Sequence, residues 1–254
     1  MLRIGLRCAM GCADDEMGKS VVDLWNGLQG AFWLVVSLDA ELADIAFRSL
    51  YVTLSALAIA CGLAFPLAAL LAVKRFRARR GVIALLNAMM GLPPVVVGLI
   101  VYILLSRSGP FGVFGLLFTP SAMIIAQVLI MVPLIASIAH QSLRDLWQEY
   151  HDLLISMNVS QGQKLRTLLW DARRALLTAA LAGFGRGIGE VGAIMIVGGN
   201  IDNVTRVLTT AIALETGKGE FALALALGFV LIGMTIVINL VIHWIGRTES
   251  GARW

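Results

Sequence analysis

The chain has 254 residues, 59% of them hydrophobic and 14% charged, against roughly 45–50% and about 25% in ordinary soluble domains. At a mean hydropathy of +0.86, a water-soluble globule of this size could not hide so much apolar surface. Disordered, collagen-like and disulfide-rich classes are excluded as well, and the composition is that of a membrane protein. The formal net charge of +4 is therefore read first as a topology signal and not as a sign of nucleic acid.

Residues 1–30 are polar and lack the apolar core of a signal peptide. The stretch Arg3–Glu16 has no periodicity, and Met17 is the expected start of translation. Ala13–Ser20 formally fits a relaxed phosphate-loop pattern, but three carboxylates would face the phosphates and no strand precedes it. Ala31–Leu38 is apolar yet shorter than the ~20 residues a span needs; with Asp39, Glu41 and Asp44 behind it, it is expected to lie in the interface as an amphipathic helix. Residues 1–47 thus form an N-terminal segment, 48–246 a transmembrane domain and 247–254 a tail.

Five longer apolar runs follow: Leu50–Val73, Val82–Leu105, Ala122–Ala139, Ala175–Val197 and Phe221–Ile245. At ~1.5 Å per residue each is long enough to cross a bilayer, the third only just. The fold predicted is an all-α integral membrane protein with five transmembrane helices. Cys61, inside the first run, is read as a small hydrophobe. His140, His151 and His243 are too scattered to hold a metal, and no cofactor is expected.

Lysines and arginines set the orientation. The loop after the first span holds Lys74, Arg75, Arg77, Arg79 and Arg80. The segment after the third adds Arg144, Lys164, Arg166, Arg173 and Arg174, and the tail adds Arg247 and Arg253. The opposite connections hold only Arg107, Arg206 and Lys218, apart from the N-terminal segment. The richer side is expected to be cytoplasmic, with the N-terminus outside and the C-terminus inside.

The stretch His140–Arg174 carries its own periodicity. Leu143, Leu146, Trp147, Tyr150, Leu153, Leu154 and Met157 recur at three- and four-residue steps, which predicts an amphipathic helix. Asn158 tolerates the left-handed conformation that ends helices. Ser160 with Gln163 then makes a capping box that starts a second helix, continued by Leu165, Leu168, Leu169, Ala172 and Leu176. A helix–turn–helix projecting into the cytoplasm is expected. A surface loop with nothing docked on it has the same periodicity, although a folded loop of this length points to a partner.

Pro66, Pro93, Pro94 and Pro133 lie within spans. The adjacent pair Pro93-Pro94 removes two successive donors and is assigned to a helix break on the pathway, whereas Pro66 and Pro133 are read as tolerated kinks. Gly183, Gly185, Gly187, Gly189 and Gly192 allow close helix packing in lipid; a helix that shifts against its neighbours has the same composition. The pattern from Gly187 to Gly192 matches a dinucleotide fingerprint without the strand–turn–helix context that would make it one. Arg186 and Glu190, four apart on one helical face, are expected to be either a structural salt bridge or a gating pair. Glu190 is the only acidic residue deep in a span, so no intramembrane protease, and no enzyme, is read here.

The 149–171 segment resembles the Glu-Ala-Ala loop of ABC-transporter permease subunits. Asp152-Leu153-Leu154 stands in the Glu-Ala-Ala place, Asn158 in that of the Gly, Leu165 at the later apolar position and Asp171 at the Pro. Arg48–Arg75, Gly91–Leu99, Ser106–Phe114 and Gly185–Ala193 are similar to type I importer permeases of the molybdate/sulfate/tungstate group. Val197–Ile201 and Thr205–Lys218 are most similar to its tungstate-type branch. The resemblance implies a homodimeric pore, a cytoplasmic ABC ATPase dimer docked on Glu149, Asp152, Leu153, Leu154, Asn158, Ser160 and Leu165, and an extracytoplasmic oxyanion-binding protein. It also implies surrounding lipid and no nucleic acid. Pro93, Pro94, Arg186 and Glu190 are the expected pathway or gate residues. The alternative is an ion-gradient-driven transporter of small anions, although such proteins often show internal repeats and several intramembrane ionisable groups, and neither is evident.

Overall fold

A computed structural model describes residues 40–74, 76–157 and 159–248. Met17, the Ala31–Leu38 helix, Arg75, Asn158 and residues 249–254 lie outside them. Every regular element among the described residues is a helix, with no strand among them.

The first helix, α1, runs over Ala40–Val73, ten residues ahead of the apolar run, with Pro66 inside it. α2 (Arg79–Met90) and α3 (Pro94–Leu105) follow. After a short 3-10 turn at Gly112–Phe114 comes α4, Pro120–Ser156, 37 residues with Pro133 inside. Thr119 caps α4, its hydroxyl accepting from the Ala122 N–H, and Pro120 occupies the first turn, where its missing donor costs nothing. Next are α5 (Gln161–Asp171), α6 (Arg173–Ile188), α7 (Gly192–Gly198), α8 (Leu208–Lys218) and α9 (Phe221–Thr248). Gly219, in the left-handed conformation at φ +84°, turns α8 into α9.

Three helices, within α1, α4 and α9, are long and apolar enough to cross a membrane, and two bent pairs qualify as broken spans. The runs Val82–Leu105 and Ala175–Val197 are therefore not straight spans as the sequence predicts. The first is bent by 105° between α2 and α3, the second by 60° between α6 and α7. Helix α8 has no counterpart among the five predicted spans. The third span and the first arm of the predicted helix–turn–helix are one continuous helix, because the apolar stripe passes from span to arm without an interruption.

The core lies between α1 and α4. Ala56, Ala60, Ala64, Ala68 and Ala72 repeat every four residues along α1 and are buried against Met131, Ile135, Ala136, Ala139 and Leu143 of α4. Small side chains at this interval bring two helix backbones together, so that packing substitutes for the hydrophobic effect missing inside lipid. Leu86 of α2, Leu168 of α5 and Leu176 and Ala179 of α6 close the same cluster. Arg79 Nε donates to Leu71 O, 2.6 Å away. That bond ties the start of α2 to the last turn of α1, and Leu168 of α5 closes on the same cluster as Leu71. At the other end Leu42 and Ile45 of α1 pack on Leu208, Ala211 and Leu227. Outward faces of α1, α3 and α9 carry exposed Phe47, Ile59, Ile103, Ile232, Ile236 and Leu240, a surface suited to hydrocarbon and not to water.

α3 and α7 meet where two glycines have no room for a side chain. A Cβ on Gly98 would lie 2.6 Å from Ala193 Cα, and one on Gly192 would lie 2.6 Å from Val95 Cγ2. Backbone cannot yield as a side-chain tip can. Gly98→Ala is expected to cost about 1–3 kcal/mol through overpacking, whereas Gly228→Ala, with nothing near its would-be Cβ, should leave the unfolding temperature in detergent unchanged or raised. Equal melting of the two variants would show that the contact is not a constraint.

Candidate functional site

The two helix breaks face each other. Leu92 precedes a proline and is kept out of the helical region; Pro93 is extended at φ −61°, ψ 125°, and Pro94 starts α3. Opposite, α6 ends at Ile188 and α7 begins at Gly192. Val95 against Gly192 and Gly98 against Ala193 join the breaks, so Pro93, Pro94 and Glu190 come into one region.

Arg186 and Glu190 are brought into the same region but do not pair. Among the described residues no ion pair joins them, because the four-residue spacing holds only while the helix continues, and it stops between them. Arg186 is exposed in the last turn of α6, where a cation meets the negative end of the helix dipole. Glu190 is buried, and its Oε1 accepts from the Ala193 N–H at 3.0 Å, placing a carboxylate at the positive end of α7. Each charge thus answers a helix terminus instead of the other charge.

A polar seam surrounds this junction. Gln127 Nε2 donates to Gly187 O at 3.0 Å, Thr209 Oγ1 donates to Glu190 O at 3.1 Å, and Ser49 Oγ accepts from the Leu208 N–H at 2.7 Å. Carbonyls and amides released by the breaks are thereby satisfied away from water. Sequence reasoning missed these three residues; the available signal was an amide or hydroxyl within or beside an apolar run, as at Gln127. Ser49, Thr53, Gln127 and Thr209 line a cavity of about 10 Å³, room for one water at most and too small for an oxyanion.

Beyond α7, Gly199 stands at φ +70° with the Phe118 ring against it, and Phe118 N–H donates to Val197 O. A side chain at Gly199 would be strained in conformation and would collide with that ring. Thr205 Oγ1 donates to Gly198 O at 2.6 Å and accepts from the Ile201 N–H. Of the cations at this end, Arg206 pairs with Asp202 at 3.1 Å and Lys218 with Glu215 at 2.8 Å.

The arm occupies the opposite end. Ser160 and Gln163 form the expected capping box: Gln163 N–H donates to Ser160 Oγ, and Ser160 N–H to Gln163 Oε1. Glu149, Asp152, Leu153 and Ser160 are exposed, Leu154 is buried, and Leu165 is packed on the core. Asp152 contacts His151 Nδ1 at 2.9 Å. Asn158, between the helices, is outside the described residues. Leu153, Ile155, Met157 and Trp170 leave large apolar groups uncovered.

Comparison with known proteins identifies relatives over most of the chain. The family described as binding-protein-dependent transport system inner membrane component matches residues 64–248. A tungstate uptake system permease protein of Peptoclostridium acidaminophilum is 38% identical over 218 residues, covering 86% of this chain and 96% of the relative. A probable anion ABC transporter permease protein of Haloferax volcanii is 37% identical, covering 78% and 88%. A tungstate uptake system permease protein of Campylobacter jejuni is 38% identical, covering 68% and 72%.

The cap formed by Glu190 can be separated from its charge. Glu190→Gln keeps an acceptor for Ala193 and is expected to melt near the parent, whereas Glu190→Ala should lose about 0.5–2 kcal/mol. Thermal unfolding of both in detergent checks this; an equal loss in the two would assign the stabilisation to the charge.

Proposed function

Because the chain belongs to the family of binding-protein-dependent transport system inner membrane components, we propose that it is the membrane-crossing subunit of an ATP-driven importer whose cargo is tungstate. It is a plasma-membrane permease of the ABC type, in the group named for tungstate, molybdate and sulfate transport. Tungstate is favoured because two relatives at 38% identity carry that name.

The observation that carries the reading is the meeting of two broken helices beside the hydrogen bonds of Ser49, Gln127 and Thr209. The hole inside one chain at this junction is water-sized, and the pathway accordingly lies between two copies. The exposed side of the junction, with Pro93, Val95, Val96, Arg186 and Gly189, faces it. Arg206 and Lys218 already have carboxylate partners, which supports a separate binding protein as the source of selectivity. The arm and the 74–80 loop share one end of the bundle, and their positive charge makes that end cytoplasmic. There the ATPase docks on Glu149, Asp152, Leu153 and the neighbouring Ile155 and Met157. Closing the nucleotide-bound dimer moves α4 and α5, exchanging outward- for inward-facing states. Arg186 lends the opened cavity a cation for a dianion, and Glu190 fixes the α7 end that borders it.

Proteoliposomes containing permease, ATPase and binding protein should accumulate tungstate in preference to molybdate and sulfate when ATP is enclosed with the ATPase. Uptake driven by an ion gradient without ATP would defeat the proposal. Asp152→Arg is expected to leave the protein in the membrane while ATP hydrolysis no longer drives uptake; normal coupled uptake would remove Asp152 from the docking surface.

A further inference from the structure

A second cavity, about 260 Å³, opens between α4 and the corner where α5 meets α6, lined by Leu146, Tyr150, Asp171, Arg173 and Arg174. It is separate from the junction of the breaks. It is also displaced from Asp152, which at ~100° per residue lies about 200° around α4 from Tyr150.

Three features specify what this cavity takes. The lining sets the side chains of Arg173 and Arg174 beside that of Asp171, a basic pair suited to an anion. The Arg173 guanidinium is held in place: its Nη1 donates to Trp170 O at 3.1 Å, and it lies 5.1 Å from the centroid of the Trp170 ring. Such a fork suits the geometry of a phosphate. Finally, Arg174 immediately precedes the apolar run that begins at Ala175, and Trp170 is exposed beside it. Arginine and tryptophan at the start of an apolar run mark the depth of lipid headgroups. Leu146 and the Tyr150 ring add an apolar wall, and the Tyr150 hydroxyl adds a donor.

We infer that this cavity binds the phosphodiester of an anionic phospholipid, held by Arg173 and Arg174 between α4 and the α5–α6 corner. A basic pocket between helices at headgroup depth is a suitable receptor for such a group. The inference requires only that the bundle crosses a bilayer, and its test reads bound lipid and not transport, so it stands or falls separately from the cargo.

The test uses the full-length chain in nanodiscs of phosphatidylcholine with a minor fraction of phosphatidylglycerol, with lipid retained after extraction counted by native mass spectrometry. The parent should keep phosphatidylglycerol selectively. Arg174→Gln, which leaves the Arg173–Trp170 contact in place, should retain about fivefold less, and Arg174→Lys should recover part of the loss. Arg166→Gln, which removes the same charge from the arm outside the cavity, should behave as the parent. Equal losses at Arg166 and Arg174 would reduce the effect to surface charge and overturn the site. So would retention that does not distinguish the two lipids. Displacement of the lipid by millimolar tungstate or inorganic phosphate would assign the cavity to a free oxyanion and overturn the lipid reading.

Discussion

A backbone amide or carbonyl left unpaired in hydrocarbon costs several kcal/mol, and this bundle interrupts two of its helices inside apolar segments. Everything near the junction follows from meeting that demand. Prolines at 93 and 94 bring no N–H to the break at all. On the other side, Glu190 takes the Ala193 N–H, Gln127 and Thr209 reach the carbonyls of Gly187 and Glu190, and Ser49 covers the start of α8. These side chains come from α1, α4 and α8, so the junction exists only when three other helices are in place. The close approach at Gly98 and Gly192 then excludes lipid from the gap.

The rest of the bundle contrasts with this region. The alanine repeat on α1 presents a smooth ridge to α4, and the two helices pack along much of their length without a buried charge between them. One part of the molecule is therefore held by close, apolar contact, and the other by directional hydrogen bonds that can be exchanged for others. In the importer proposed above, the first is the frame and the second is where the structure rearranges.

Much of the architecture was legible in the sequence wherever a local rule acts alone. Apolar runs located the membrane-embedded segments, the Pro93-Pro94 pair located a break, and Ser160 with Gln163 located the start of α5. The rules failed where helical continuity was assumed. Arg186 and Glu190 share a face only in an unbroken helix, and Gly189 with Val191 ends it; nothing in their spacing reports the break. The junction between span and arm was invisible for the opposite reason, since one helix simply continues. Ser49, Gln127 and Thr209 come together only in the tertiary structure, so their roles could not be read from any one segment. The 105° angle between α2 and α3 depends on contacts with α4 and α7 that no proline pair specifies.

Helix α4 has a mechanical implication. Its 37 residues give a rod about 55 Å long, rooted at one end beside Phe118 and the loop after α7, and at the other in the arm. Alanines lock its middle to α1, so a push on the arm is resisted near a fulcrum instead of being absorbed along a flexible connection. Pivoting such a rod by roughly 5° about its middle shifts each end by about 2 Å, a little under half the rise of one helical turn. Small displacements on one side of the bilayer are thus delivered, nearly undiminished, to the other.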